Sequence, residues 1–131
     1  MYTGIALYGT EQVSPASALA LGMTLFKHAA LEVSSCGWNQ YVQPGDRPGD
    51  HDLIESTLDA LREKVAAQQI NAFRLYSEKP GALPWSASFG VSTAEFGQFH
   101  HIDMQLPACG DMAALLRMVA CEIHFNVDLL F

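Results

Sequence analysis

The sequence predicts one α+β domain spanning residues 1–131, a mostly antiparallel sheet of about four to five strands packed against about three helices. Three observations lead there. The elements read in the order strand, long helix, loop, helix, three strands, helix, which is not the strict alternation of a parallel α/β sheet. The helical stretches each carry an apolar stripe at helical spacing, while the later strands alternate. Half of the residues are apolar and 16% are charged, enough to bury a core but not enough chain for two conventional domains.

Tyr2 to Tyr8 (YTGIALY) is rich in β-formers and stops at Gly9, so it reads as a strand. Ser14-Pro15 then supplies an N-cap followed by proline at the first helical position. The helix that follows is expected to run to about Val33, with Leu19, Met23, Phe26, Ala30 and Val33 on one face and Leu21 and Leu25 widening it. From Ser34 to Asp50 three Gly, two Pro and two Asp mark a loop, with a short strand over Trp38 to Val42. A second helix is expected to begin at Asp52, whose spacing to Glu55 matches a capping box; Ile54, Leu58, Leu61 and Val65 follow at intervals of 4, 3 and 4.

The second half reads as sheet. Ile70 to Tyr76, Trp85 to Ser92 and Phe96 to Leu106 are the expected strands. In the last of them Phe99, His101, Asp103 and Gln105 share one face, and His100, Ile102, Met104 and Leu106 the other. Gly110-Asp111 opens a third expected helix, Met112 to about His124. The apolar end Phe125 to Phe131 (FNVDLLF) fits either a terminal strand tucked into the sheet or an excerpt from a longer protein.

Charge narrows the function classes. Fourteen carboxylates stand against seven Lys and Arg, a net charge of −7. So few cations cannot build the basic face that nucleic acid or an anionic membrane requires, whereas a basic protein partner would be attracted. The three cysteines, Cys36, Cys109 and Cys121, are odd in number and widely spaced, which fits free thiols in a reducing, cytoplasmic compartment. The apolar run Ala18 to Phe26 has no preceding Lys or Arg and no cleavage site after it, so it is expected to be a core helix and not a signal peptide.

No catalytic signature stands out. Cys36 in Ser35-Cys36-Gly37-Trp38 faintly matches the nucleophile segment of papain-like peptidases, but it follows a helix where those enzymes begin one. A metal or acid–base site could be drawn from His100, His101 and Asp103, with Cys121, Glu122 and His124. Nothing resembles H-E-x-x-H, a phosphate-binding glycine loop or a complete calcium loop, so no cofactor is expected. The plainer expectation is that the adjacent histidines point to opposite sides of a strand, one of them paired with a carboxylate.

The strongest local feature is acidic. Asp46, Asp50, Asp52, Glu55, Asp59 and Glu63 stand against Arg47 and Arg62 alone, so 46–63 supplies −4 of the −7. A solvated helix face would look the same. Flanked by Trp38, Tyr41 and Trp85, residue types that anchor interfaces, the segment also reads as a docking surface for a basic protein. Trp85 to Ser92 (WSASFGVS) and Phe99 to Pro107 (FHHIDMQLP), a strand pair leading into a helix, complete the pattern. In size, acidity, element order and lack of a catalytic motif the chain resembles the small cytosolic immunity proteins of bacterial polymorphic-toxin and type VI secretion systems. That resemblance implies a cognate toxin neutralised by tight binding. Two alternatives stay open: a small enzyme or metal-binding protein using His100, His101 and Asp103, and a homodimer or larger assembly formed by pairing the terminal strands.

Overall fold

A computed structural model describes residues 2–47, 50–78, 87–96, 99–107, 117 and 128–130. The order of elements begins β1 (Tyr2–Tyr8), α1 (Pro15–His28), β2 (Ser35–Gln40), β3 (Asp52–Ser56) and α2 (Leu58–Ala66). It continues with β4 (Phe73–Ser77), β5 (Ala87–Ser92), a 3-10 turn (Ala94–Phe96), β6 (His101–Pro107) and β7 (Asp128–Leu130). The strands form one sheet of seven, ordered β3-β2-β4-β5-β6-β1-β7, with every neighbouring pair antiparallel. The fold is therefore α+β as expected, with more strands than the sequence suggested. The expected helix Met112 to His124 lies outside the described residues but for Arg117.

Alternation decides which face is core. Ile5 and Leu7 of β1, Cys36 and Trp38 of β2, Phe73 and Leu75 of β4, Phe89 and Val91 of β5, and Ile102, Met104 and Leu106 of β6 are all buried. Register lines them up: Trp38 faces Phe73, Phe73 faces Val91, and Val91 faces Ile102. Leu21, Leu25 and Phe26 of α1 and Leu61 and Val65 of α2 join the same cluster, so both helices lie on this face. α1 approaches closely because Gly22 has no side chain: a Cβ there would stand 2.7 Å from Phe89 Cδ1 and 3.0 Å from Leu75 Cδ1. Residues between the core positions, among them Arg74, Tyr76, His101 and Asp103, face the other way and are only partly covered.

Strand bounds shift from expectation: β2 begins at Ser35 and not Trp38, β4 at Phe73 and not Ile70, and β6 at His101, the expected start Phe96 lying in the 3-10 turn. Two larger differences have identifiable reasons. α1 starts as read, with Ser14 Oγ accepting from Ser17 N–H at 3.1 Å and Pro15 opening the helix. It ends at His28, five residues early, in a Schellman turn. Ala30 takes a left-handed φ of 57°, its N–H donates to Lys27 O, and Leu31 N–H donates to Phe26 O. Leu31 is buried there, the apolar contact that commonly accompanies this turn. No glycine marks the spot, so the stop signal was absent from the sequence.

The second correction concerns 52–56. The segment is strand, and α2 begins only after Thr57, whose Oγ1 accepts from Ala60 N–H at 3.2 Å. Asp52 and Glu55 therefore do not form a capping box. Pairing with β2 outweighs local helix preference, because five residue pairs from Cys36↔Ser56 to Gln40↔Asp52 form and Ile54 comes to lie opposite Trp38.

Candidate functional site: an acidic sheet edge and a polar sheet face

The six carboxylates of 46–63 fall on consecutive parts of one edge. Asp46 and Asp50 lie in the β2–β3 connection, where both hold turns: Asp46 Oδ2 accepts from Val42 N–H at 2.9 Å and Gln43 N–H at 2.8 Å, and Asp50 Oδ2 accepts from Arg47 N–H at 3.2 Å. Asp52 and Glu55 are exposed on β3, which is the first strand of the sheet, with no described strand beyond it. Asp59 and Glu63 are exposed one helical turn apart on α2. Among the described residues the ion pairs that form involve Asp103, and none of these six carboxylates takes part. The edge thus combines unpaired negative charge with a strand whose outer side faces no described neighbour.

The aromatic flank is only partly as expected. Trp38 is a core residue, 8% exposed, because β2 alternation turns it toward α2. Its indole N–H donates to Gln40 Oε1 at 3.0 Å, and the Lys64 ammonium lies 6.0 Å from the ring centroid. It cannot anchor a partner from there. Tyr41 remains partly accessible; it stacks on Phe96 with centroids 5.0 Å apart and donates its hydroxyl hydrogen to Glu95 O. Desolvation, followed by the negative charge of Glu95 and of Asp46, holds its phenol pKa above the ordinary value. Trp85 lies outside the described residues. The large apolar side chains that are exposed among the described residues are Phe99, Val42 and Leu53, at 83%, 51% and 41%. Only their exposure singles them out, and sequence carries no signal for that.

The second candidate lies on the polar face. Gly90 sits between Arg74 and Asp103 in one cross-strand row, Arg74↔Gly90↔Asp103. A Cβ on Gly90 would stand 2.2 Å from Arg74 Nη1, so the absence of a side chain gives the guanidinium its path across β5. Arg74 reaches Asp103 in a bidentate pair, Nη1 to Oδ1 at 3.1 Å and Nη2 to Oδ2 at 2.7 Å, while Nε donates to Tyr76 Oη at 3.1 Å. Burial alone would lower the Arg74 pKa, but the hydrogen bonds and charge of Asp103 outweigh it and hold it above its ordinary value.

His101 joins the same row of chemistry. Its Nδ1 is 2.8 Å from Phe99 O, and its Nε2 is 3.5 Å from Asp103 Oδ1. His101 and Asp103 therefore do share a face, as the alternation required, and one histidine is paired with a carboxylate. His100 precedes β6 and is not part of the group. A shallow depression of about 370 Å³ opens here, bordered also by His51, Asn39 and Ser92. Both oxygens of Asp103 are engaged by Arg74, so this carboxylate acts as a counter-ion and not as a free base. Among the described residues no three His, Cys, Asp or Glu side chains are grouped to hold a metal ion. Cys121, Glu122 and His124 lie outside them.

Cys36 is buried at 4% exposure, its Sγ–H donates to Ser56 O at 3.4 Å, and burial pushes its pKa up, the opposite of what activates a thiol nucleophile. No described helix is long and apolar enough to cross a membrane. No family model, curated protein or solved structure matches this chain.

Proposed function

We propose that the chain is a protein-binding module, an inhibitor of the immunity-protein kind that docks a basic toxin or enzyme and occludes its active site in the cytoplasm. One observation carries this reading: six carboxylates on the β2–β3 connection, edge strand β3 and the outer face of α2, none of them in an ion pair among the described residues. Unpaired charge of one sign on a rigid sheet edge raises the encounter rate with an oppositely charged surface and repels like-charged ones. Leu53 and Val42, exposed along the same stretch, supply apolar contact, and of the three expected aromatic anchors Tyr41 remains while Trp38 is core.

The test is kinetic. A basic partner captured from the native lysate is titrated against the wild type and against a variant with Asp50→Lys, Asp59→Lys and Glu63→Lys. The reading expects association slowed by about tenfold or more at low salt, with dissociation little changed. Equal association rates for the two forms would remove it.

A second reading, self-assembly, has one observation in its favour: β7 stands at the far end of the sheet with no described strand on its outer side. Sedimentation of the purified chain decides it, since a concentration-independent monomer is incompatible with a strand-paired dimer.

A further inference from the structure

A groove of about 540 Å³ opens between the first turn of α1 and the last turn of α2, within the size range of small-ligand sites. Its wall is largely apolar, with Pro15 and Ala16 on one side and Val65, Ala66 and Ile70 on the other. Glu95 is the single ionisable side chain lining it among the described residues. Asn71 Nδ2 donates to Glu95 Oε2 at 2.6 Å, which fixes the carboxylate at the rim and leaves Oε1 to a ligand. No cation is in ion-pair reach of Glu95 among the described residues.

Helix ends meet here with opposite polarity and both are capped, so Glu95 breaks the tie. At the α1 end Pro15 has no N–H to offer and Ser17 N–H is taken by Ser14 Oγ, so two of the donors an anion would seek are missing. At the α2 end the carbonyls of Glu63, Lys64 and Val65 are likewise taken, by the N–H groups of Ala67, Gln69 and Gln68, so the carboxylate of Glu95 sets the sign of the site. The site accepts hydrogen bonds from a cation and has an apolar channel behind its one charge. We propose that this groove binds a primary ammonium or guanidinium group carried on an unbranched aliphatic stem, with Glu95 as counter-ion. A stem of about three to four methylenes, as in Lys or Arg, lies along Ala16, Val65 and Ile70 while the head meets Glu95 and Asn71. Glu95 is not one of the six carboxylates of the acidic edge, although Tyr41 of that surface donates to its backbone carbonyl and stacks on Phe96 in the groove wall.

The experiment is an amide chemical-shift titration of the full chain with three cations, agmatine, 1,5-diaminopentane and Nα-acetyl-lysine amide, against hexanoate and 1-pentanol. The expected result is saturable shifts at Ala16, Val65, Asn71 and Glu95 with the cations and none with hexanoate. Glu95→Gln weakens binding by about tenfold or more, the worth of a charge-assisted hydrogen bond. Ala66→Leu, at an exposed helical position, blocks the channel by volume without touching the charge and serves if Glu95→Gln disturbs the fold. Tighter binding of the lysine amide places the natural head group on a polypeptide side chain; tighter binding of the free amines places it on a small molecule. Absence of saturable shifts, an equal response to hexanoate, or undiminished binding by both variants overturns the site.

Discussion

The centre of the sheet and its β3 edge each carry charge, and they handle it in opposite ways. In the centre Arg74 crosses Gly90 to meet Asp103 through two hydrogen bonds, with Tyr76 holding the guanidinium from the side. At the edge Asp52, Glu55, Asp59 and Glu63 are exposed and form no ion pair among the described residues. The central pair is partly covered, at 26% and 30% side-chain exposure, so its charges are desolvated and depend on each other. Edge charges cost almost nothing to keep hydrated and are free to act on a second molecule. The first region holds strands together, and the second leaves its negative charge in solvent.

The sharpest way to break that contrast is to remove one member of the central pair. Arg74→Leu leaves Asp103 mostly covered, with His101 its remaining ion-pair partner among the described residues, and the expected loss is about 2 kcal/mol in urea unfolding. Adding Asp103→Leu to it should recover much of that loss, since two apolar side chains replace a desolvated pair. A smaller effect, about 1–2 kcal/mol, is expected for Gly90→Ala, because the new methyl group must push the Arg74 terminus off Asp103. The same substitution made in an Arg74→Leu background should cost far less. Additive losses in that double-mutant cycle would show that Gly90 serves something other than the guanidinium.

How far these features could be read in advance depends on the range of the interaction that creates them. The alternation of His101 to Leu106 was legible because it is a property of one strand, and it placed Asp103 beside His101 correctly. Arg74 was missed as the partner of Asp103. They are 29 positions apart, and only the register of β4, β5 and β6 brings them into one row. The start of α1 was written in Ser14-Pro15, whereas its end depends on Ala30 accepting a left-handed conformation that glycine would have announced. Asp52 to Ser56 misled because Ile54 continues the helical spacing of Leu58, Leu61 and Val65, although hairpin pairing with β2 claims it. The acidic segment was visible as a count of charges. That Trp38 lies beneath it as core, while Leu53 and Val42 lie exposed, follows from strand facing and not from residue type.

At the edge, neutralising charge should barely touch stability. Asp52→Asn and Glu55→Gln together are expected to shift unfolding by less than about 0.5 kcal/mol, and a stabilising sign would reflect relief of like-charge repulsion. A loss comparable to that of Arg74→Leu would mean that the edge carboxylates are structural, and the contrast with the centre would fail.

An effect confined to alkaline pH sits under that edge. Cys36 pairs with Ser56 of β3 in register, and its buried thiol has its pKa raised by desolvation. In the unfolded chain the same thiol ionises near its ordinary value, about 8.5. Between that value and the raised one the unfolded state has lost the proton while the folded state retains it, so stability falls as pH rises. Below about pH 8 both states are protonated and Cys36 adds no slope. Unfolding measured from pH 7 to 10 should therefore show a decline that Cys36→Ala removes, less than about 1.4 kcal/mol for each unit by which the two values differ. Because Asp52 is exposed and pairs with Gln40, at the far end of the β2–β3 ladder from Cys36, Asp52→Asn should leave the slope in place. If it abolished the slope instead, the decline would have to be charged to edge repulsion and not to the buried thiol.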